Sequence, residues 1–318
     1  MSNSKQCTMN CNYLPPNPPA AYTGATLLTA KARRTTANNA LYNNAFTLLC
    51  CLLWMVITPC LAGNDKHTVG GRQAAMGNTS VTFTDVFSVF YNQAGLAGIN
   101  TVTAGIYAEN RFLLKDLNFF GAAVAIPTKG GTFGLGATYF GNNLYNDRLI
   151  NLAYGRKLFN TLSIGIELDY AAISVADYGT ANAFTFGVGV QYAIIPQLIA
   201  GAQVHNPLRW QFTDFEEDRL PTVISSGIAY LPSKKVTICA EAEKNLDKPL
   251  MLKAGFEYNI VEKLSLRAGV TTEPVVSSFG IGLNLGALRI DLSNSFHPVL
   301  GYSPHFGLIY TAPKRNKD

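Results

Sequence analysis

At 318 residues the chain can hold one large domain or two ordinary ones, so composition decides more than length. Hydrophobic residues make up 48% and charged ones only 14%, against about a quarter charged in a soluble globular protein. The formal charge of +5 does not imply nucleic acid as a partner: Lys5, Lys31, Arg33 and Arg34 all precede Gly63 with no acid among them, which leaves 21 basic (25 minus 4) against 20 acidic side chains.

The chain opens on polar sequence with Pro15, Pro16, Pro18 and Pro19 clustered and no periodicity. Residues 1–44 fit an extended leader and translated upstream sequence equally well. Lys31, Arg33 and Arg34 then precede an apolar run over 46–57, and Cys60, Leu61 and Ala62 place small residues at a cut site. Basic region, apolar core and small-residue cut are the order of a secretory signal, with cleavage expected after Ala62. A membrane helix is the competing reading, but the run is shorter than the roughly 20 residues a span requires.

Cys7, Cys11, Cys50, Cys51 and Cys60 all lie before Gly63, leaving Cys239 alone in the body. One cysteine excludes an intrachain disulfide framework and a cysteine-based zinc site, and no metal or other cofactor is expected.

Residues 63–99 form a separate segment. It carries Val69, Gly70, Gly71 and Arg72, then Met76-Gly77, then Asp85 to Ser88, then Asn92, Gln93, Ala94, Gly95 and Leu96. From 100 to 312 the pattern becomes one of alternating strands, followed by a polar tail over 313–318. The clearest stretch puts Leu162, Ile164, Ile166, Leu168 and Tyr170 on one face and Ser163, Gly165, Glu167 and Asp169 on the other. The next strand sets Phe184, Phe186, Val188, Val190 and Tyr192 against Thr185, Gly187, Gly189 and Gln191. Strands of about ten residues with one greasy and one polar or glycine-rich face suit a wall between lipid and water.

Strands are expected to begin near Thr101, Leu117, Thr132, Arg148, Leu162, Ala183, Leu198, Val223, Val236, Leu250, Leu264, Phe279, Leu288 and Pro304. The fold class is therefore all-β: a transmembrane antiparallel up-and-down barrel of about fourteen strands in outer-membrane lipid. Short connections are expected at 127–131, 157–160, 195–197, 232–235, 261–263 and 286–287. Longer ones fall in the alternate gaps at 110–116, 141–147, 175–182, 206–222, 244–249, 273–277 and 297–303. Short periplasmic turns and longer outer loops would put both termini in the periplasm, with Tyr170 toward the outer rim and Tyr192 toward the inner. A soluble β-sandwich is disfavoured because the second faces hold Gly255, Gly269, Gly280, Gly282 and Gly286 beside sparse charges, and glycine weakens a strand unless close approach demands it.

By the same alternation Glu167, Asp169, Glu241, Glu243, Lys253, Glu257, Arg267, Arg289 and Asp291 point into the lumen and pair there, with Glu241 and Glu243 facing Lys253 and Arg267. Glu241 and Glu243 share a face, as a catalytic carboxylate pair would, but nothing marks a substrate cleft beside them. His205, His297 and His305 are expected in or beside loops, so no Ser-His-acid cluster forms. The Gly-x-Gly pairs at Gly187 and Gly280 precede no strand-to-helix turn and are not phosphate loops. No catalytic residue is assigned.

The segment with Arg72, Met76-Gly77, Asp85, Asn92, Gly95 and Leu96 resembles the N-terminal signature of the PorV/PorQ group and its relative FadL, the long-chain fatty-acid channel. The three motif pieces occur in order, and the barrel behind them matches in strand number. Gln93 departs from the pattern, where the family has Pro, which puts the turn that Pro enforces in doubt. The resemblance implies a hatch inside the lumen over 68–98, with Phe87, Phe90 and Tyr91 packed inside the wall and Arg72 paired with an acid such as Glu167 or Asp169. An ordinary periplasmic lead-in is the alternative.

The compact body leans toward a PorV-type accessory role in type IX secretion, with the translocon or the C-terminal domains of secreted proteins as partners. A FadL-like channel for a hydrophobic ligand is the alternative. Leu208, Trp210, Phe212 and Phe215, before the acidic Glu216, Glu217 and Asp218, serve either a small capture site or a docking loop. An outer-membrane enzyme ranks last.

Overall fold

A computed structural model describes residues 68–210 and 220–313 of the chain. The leader, the cut after Ala62, residues 314–318 and the loop residues Phe212 and Phe215 lie outside the described residues.

Fourteen strands follow one another: β1 (Thr103–Asn110), β2 (Asn118–Pro127), β3 (Thr132–Gly141), β4 (Tyr145–Lys157), β5 (Leu162–Val175), β6 (Gly179–Ile195), β7 (Leu198–His205), β8 (Val223–Ser233), β9 (Val236–Asn245), β10 (Leu250–Val261), β11 (Leu264–Thr272), β12 (Val275–Asn284), β13 (Leu288–His297) and β14 (Gly301–Thr311). Each pairs antiparallel with its neighbours in sequence, and β1 pairs β14, so the sheet closes into a barrel with no free edge. Closure satisfies every strand's backbone inside the wall, which is the condition for crossing hydrocarbon with strands.

The two faces sort as the alternation predicts. On β5, Glu167 is 1% exposed and its neighbour Leu168 is 58% exposed. Ile164, Ile166, Phe184, Val188 and Tyr192 join Leu168 on the outside, while Asp169, Thr185 and Gln191 are buried within. A wall that turns large apolar side chains outward along every strand is built to meet lipid, and a sandwich would have hidden them.

Strand count and faces agree with expectation, but several ends do not. β4, β6, β12 and β14 begin at Tyr145, Gly179, Val275 and Gly301, ahead of the expected Arg148, Ala183, Phe279 and Pro304. Ladder hydrogen bonds continue where the apolar alternation stops: β5 and β6 stay paired out to Val175 and Gly179, giving strands of 14 and 17 residues. Most expected long loops therefore shrink to 142–144, 176–178, 246–249, 273–274 and 298–300. Only 111–117 and 206–222 stay long, and the contrast in loop length that oriented the barrel is weaker than the sequence implied. Gly286 sits in a turn at φ 82°, not on an inward face.

The segment before β1 lies inside the barrel. It comprises a five-residue helix α1 (Gly71–Ala75) and two 3-10 turns, Val86–Phe90 and Gln93–Gly98. Val86, Phe87, Val89, Phe90 and Leu96 are buried against the wall with Tyr107, Phe119, Ala123, Ala125, Ala153 and Ile309. Each fully buried side chain of this size contributes about 1.5–3 kcal/mol.

Candidate functional site

The hatch and its seat in the lumen form the candidate site. Each motif piece has a local physical task. Asp85 caps the first 3-10 turn: its Oδ1 accepts from Phe87 N at 3.0 Å, while Asp85 N donates to Ser88 Oγ at 3.3 Å. This reciprocal pair is a capping box, which is what an acid followed by a Ser three residues on supplies. Asn92 caps the second turn, its Oδ1 accepting from Ala94 N at 3.2 Å while Nδ2 donates to Val81 O at 2.7 Å and to Val190 O on β6 at 2.9 Å. Gln93 takes the first helical position after this cap, so the turn forms without Pro. Gly95 lies against Phe83 O and Ser88, where a Cβ has no room. Tyr91 ties the two ends of the hatch together, since its hydroxyl meets both Val69 N and Val69 O. Burial pushes the Tyr91 hydroxyl well above its ordinary pKa, so it stays protonated.

Inward glycines of the wall make the seat. Gly255 and Gly269 pair across β10 and β11, and the Met76-Gly77 backbone lies on them. Gly155, Gly165 and Gly189 stand abreast on β4, β5 and β6, and the backbone or side chains of Asn92, Gln93 and Ala94 press on all three. A Cβ at any of these positions would overlap the hatch.

Charged side chains then fasten one flank. Arg72 on α1 grips Glu257 with two bonds, Nη2 to Oε1 at 2.7 Å and Nε to Oε2 at 2.9 Å. Arg267 bridges Glu257 at 2.6 Å and Asp291 at 2.6 Å, and Arg289 continues to Asp291 at 2.9 Å. Arg289 Nη2 stands 3.5 Å from Asp85, and Gln73 Nε2 closes the circuit on Asp85 at 3.0 Å. Three arginines and three carboxylates alternate along a chain that leaves the hatch at Arg72, crosses the wall through Glu257, Arg267, Asp291 and Arg289, and returns to the hatch at Asp85. Burial acts to lower the Arg72 pKa, but the Glu257 carboxylate outweighs it and the net direction is upward.

Two expected pairings are corrected. Arg72 meets Glu257 and not Glu167 or Asp169, because Gly71 packs on Asp291 and turns Arg72 toward β10. Glu241 and Glu243 do face Lys253, at 3.3 and 2.7 Å, but Arg267 goes to Glu257 and Asp291. Glu241 also accepts from the hatch amides Ser80 N at 2.7 Å and Val81 N at 3.0 Å. That use is structural and argues against a catalytic carboxylate pair.

Glu167 and Asp169 instead converge on His205 Nδ1, at 3.1 and 3.3 Å, and Asn151 Nδ2 donates to Asp169 at 2.5 Å. Gly187 leaves the space that the Glu167 carboxylate occupies. These three residues have the convergence a cation would need. His205 ends β7 beside the long connection, as expected, whereas His305 lies within β14; both are buried. Against expectation a Ser-His-acid grouping does form, with Ser295 Oγ 2.9 Å from His305 Nε2 and Tyr107 Oη and Glu109 Oε2 2.8 and 3.9 Å from Nδ1. His305 escaped because β14 begins at Gly301, ahead of its apolar alternation. Gln73 and Gln191, which binds Val81 O and Phe83 O of the hatch at 3.1 and 2.9 Å, were also missed, because neutral amides carry no pattern. Trp210 is exposed in the long connection, apart from the hatch.

No protein-family model and no curated protein sequence matches the chain. Solved structures do. The CymD monoaromatic hydrocarbon channel superposes with a TM-score of 0.61 at 11% identity, covering 79% of this chain and 100% of that one. The Ralstonia pickettii toluene transporter TbuX gives 0.57 at 11% identity, covering 76% and 96%. A Pseudomonas aeruginosa FadL homologue gives 0.52 at 13% identity, covering 77% and 97%. At such identities the likeness is one of fold alone: the closed barrel of this chain superposes on the barrels of those proteins.

Proposed function

We propose that this chain is an outer-membrane channel for a hydrophobic small molecule, closed in this state by the hatch, with both termini in the periplasm. The observation that carries the reading is the two-sided hatch. Its apolar flank packs on β1 to β4 and β14, while its ionic flank is tied to β9 to β13. An apolar seam between plug and wall is the surface a hydrophobic solute would follow once the plug yields, and the ionic flank is the side that holds. The described barrel-wide neighbours are hydrocarbon channels, a toluene transporter and a FadL homologue, which favours transport over a secretion role.

The test is uptake of a labelled monoaromatic hydrocarbon by cells that carry or lack the protein. A Cβ at Gly280 would stand 2.8 Å from Ala75 Cβ and 2.7 Å from both Leu292 O and Ser293 Cβ. A75C/G280C in a C239A background therefore bridges hatch to wall once β12 and β13 also give way locally, which an unchanged heat-modifiable gel shift would check. Oxidation should stop uptake and reduction restore it. Uptake that ignores both the gene and the bridge would reject the channel.

One observation favours the secretion-accessory reading: connections such as 142–144, 273–274 and 298–300 offer little surface on which to capture a solute. Normal export of proteins bearing type IX C-terminal domains in a deletion strain would dismiss it.

A further inference from the structure

The channel reading uses the seam between hatch and wall, but the ionic flank leaves a separate space at one mouth of the barrel. A cavity of about 570 Å³ opens there between α1 and the turns that join β8 to β9 and β10 to β11. Its floor is the arginine circuit, where Arg72 and Arg289 remain 18% and 25% exposed. Lys234 and Lys235 stand on the β8–β9 rim, and among the described residues neither has an ion-pair partner. Asn259 and Ser265 supply polar wall, and Ser265 Oγ lies 2.6 Å from Asn259 Oδ1.

Charge decides what the space attracts. Five cationic side chains line it against the carboxylates Glu257 and Glu262, and because Asp291 and Asp85 balance the arginines from beneath the floor, the surplus positive charge sits at the rim on Lys234 and Lys235. Glu257 is already shared by Arg72 and Arg267, so it has little left to offer the rim. Arg289 keeps a quarter of its side chain exposed at the floor while its Nη2 turns inward to Asp85 at 3.5 Å, and Lys234 and Lys235 line the same cavity. A hydrocarbon has no reason to stop among such groups. An anion with several oxygens does, because forked guanidinium groups and mobile ammonium groups match oxygens on more than one side. The volume exceeds that of a bare ion and falls within the range of small-molecule sites, roughly 300–1,000 Å³.

We propose that this cavity binds a phosphate-bearing small molecule or headgroup, seated between Lys234, Lys235 and the Arg72–Arg289 floor. The site rests on the cavity and its charges alone and stands whether or not the seam conducts. A ligand there touches both arginines that tie hatch to wall, so its occupancy is coupled to how firmly the hatch is held.

The test is calorimetric titration of the purified full-length protein with inorganic phosphate at constant ionic strength, with chloride as the reference anion. One saturable phosphate site is expected. The K234Q/K235Q variant, altered only on an exposed turn, should weaken it about tenfold, and R289Q should do the same. Repeating the titration in nanodiscs separates the sources: loss of phosphate binding only when anionic phospholipid is present assigns the site to a lipid headgroup, and retention assigns it to a soluble phosphate ester. No saturable binding beyond chloride, or binding unmoved by K234Q/K235Q, overturns the proposal.

Discussion

Gly255 and Gly269 face each other across β10 and β11, and the Met76-Gly77 peptide rests on the pair. At Gly269 an added Cβ would fall on the Gly77 backbone nitrogen, and backbone does not move aside cheaply. Gly269→Val should lift the hatch while the outward wall is untouched. The expected result is raised single-channel conductance in planar bilayers with an unchanged heat-modifiable gel shift. Wild-type conductance from this variant would mean that the seat does not hold the plug.

Arg72→Gln removes a bidentate bond from Glu257, leaving that carboxylate to Arg267 alone. Arg72 is partly exposed, so the expected loss is about 2–3 kcal/mol of hatch anchoring, below that of a fully buried pair. Hydrogen exchange over residues 69–78 should quicken while β2 and β3 keep their protection. Equal acceleration everywhere would instead indicate a general loss of stability.

Asn92 and Gln93 should behave oppositely despite being neighbours. Asn92→Ala loses a cap and two donated bonds, a cost of about 2–4 kcal/mol. Gln93→Pro places proline at the first position of a 3-10 turn, where a missing N–H matters least, and should cost less than about 1 kcal/mol apart from the lost amide contact to Tyr91 O. Chemical denaturation of the two variants gives the comparison, and a proline variant as damaged as the alanine one would refute the assignment of the cap.

Tyr91→Phe keeps the ring in the apolar cluster and deletes the hydroxyl that holds both Val69 N and Val69 O. Two buried backbone groups would lose their partner, at about 1–3 kcal/mol each. Limited proteolysis should then cut near Val69 at a concentration that leaves the parent intact. Identical digestion patterns would show that the hydroxyl is dispensable.

The wall was legible in the sequence because alternation is a local property: Glu167 and Leu168 declare opposite faces by their types alone. The pairing of Lys253 with Glu241 was equally legible, since the two are register partners on adjacent strands. Arg72 was not, because its partner depends on where α1 lands across the lumen. Strand ends escaped for another reason. Backbone ladder bonds at Val175 and Gly179 persist without any greasy stripe to announce them. The glycines were visible as small inward residues, yet their purpose appeared only with the hatch backbone laid on them.

The order of the chain has a bearing on assembly. Residues 69–98 precede β1, and the cylinder is sealed where β1 meets β14, its first strand against its last. The chain therefore carries the stopper ahead of the bottle, and the expected order is that hatch residues dock before the seam closes. Gly155, Gly165 and Gly189 are too small to fill the interior themselves, so a cylinder closed without its hatch would leave it open. A wall closed in that order would need no route by which its own plug had to be threaded in.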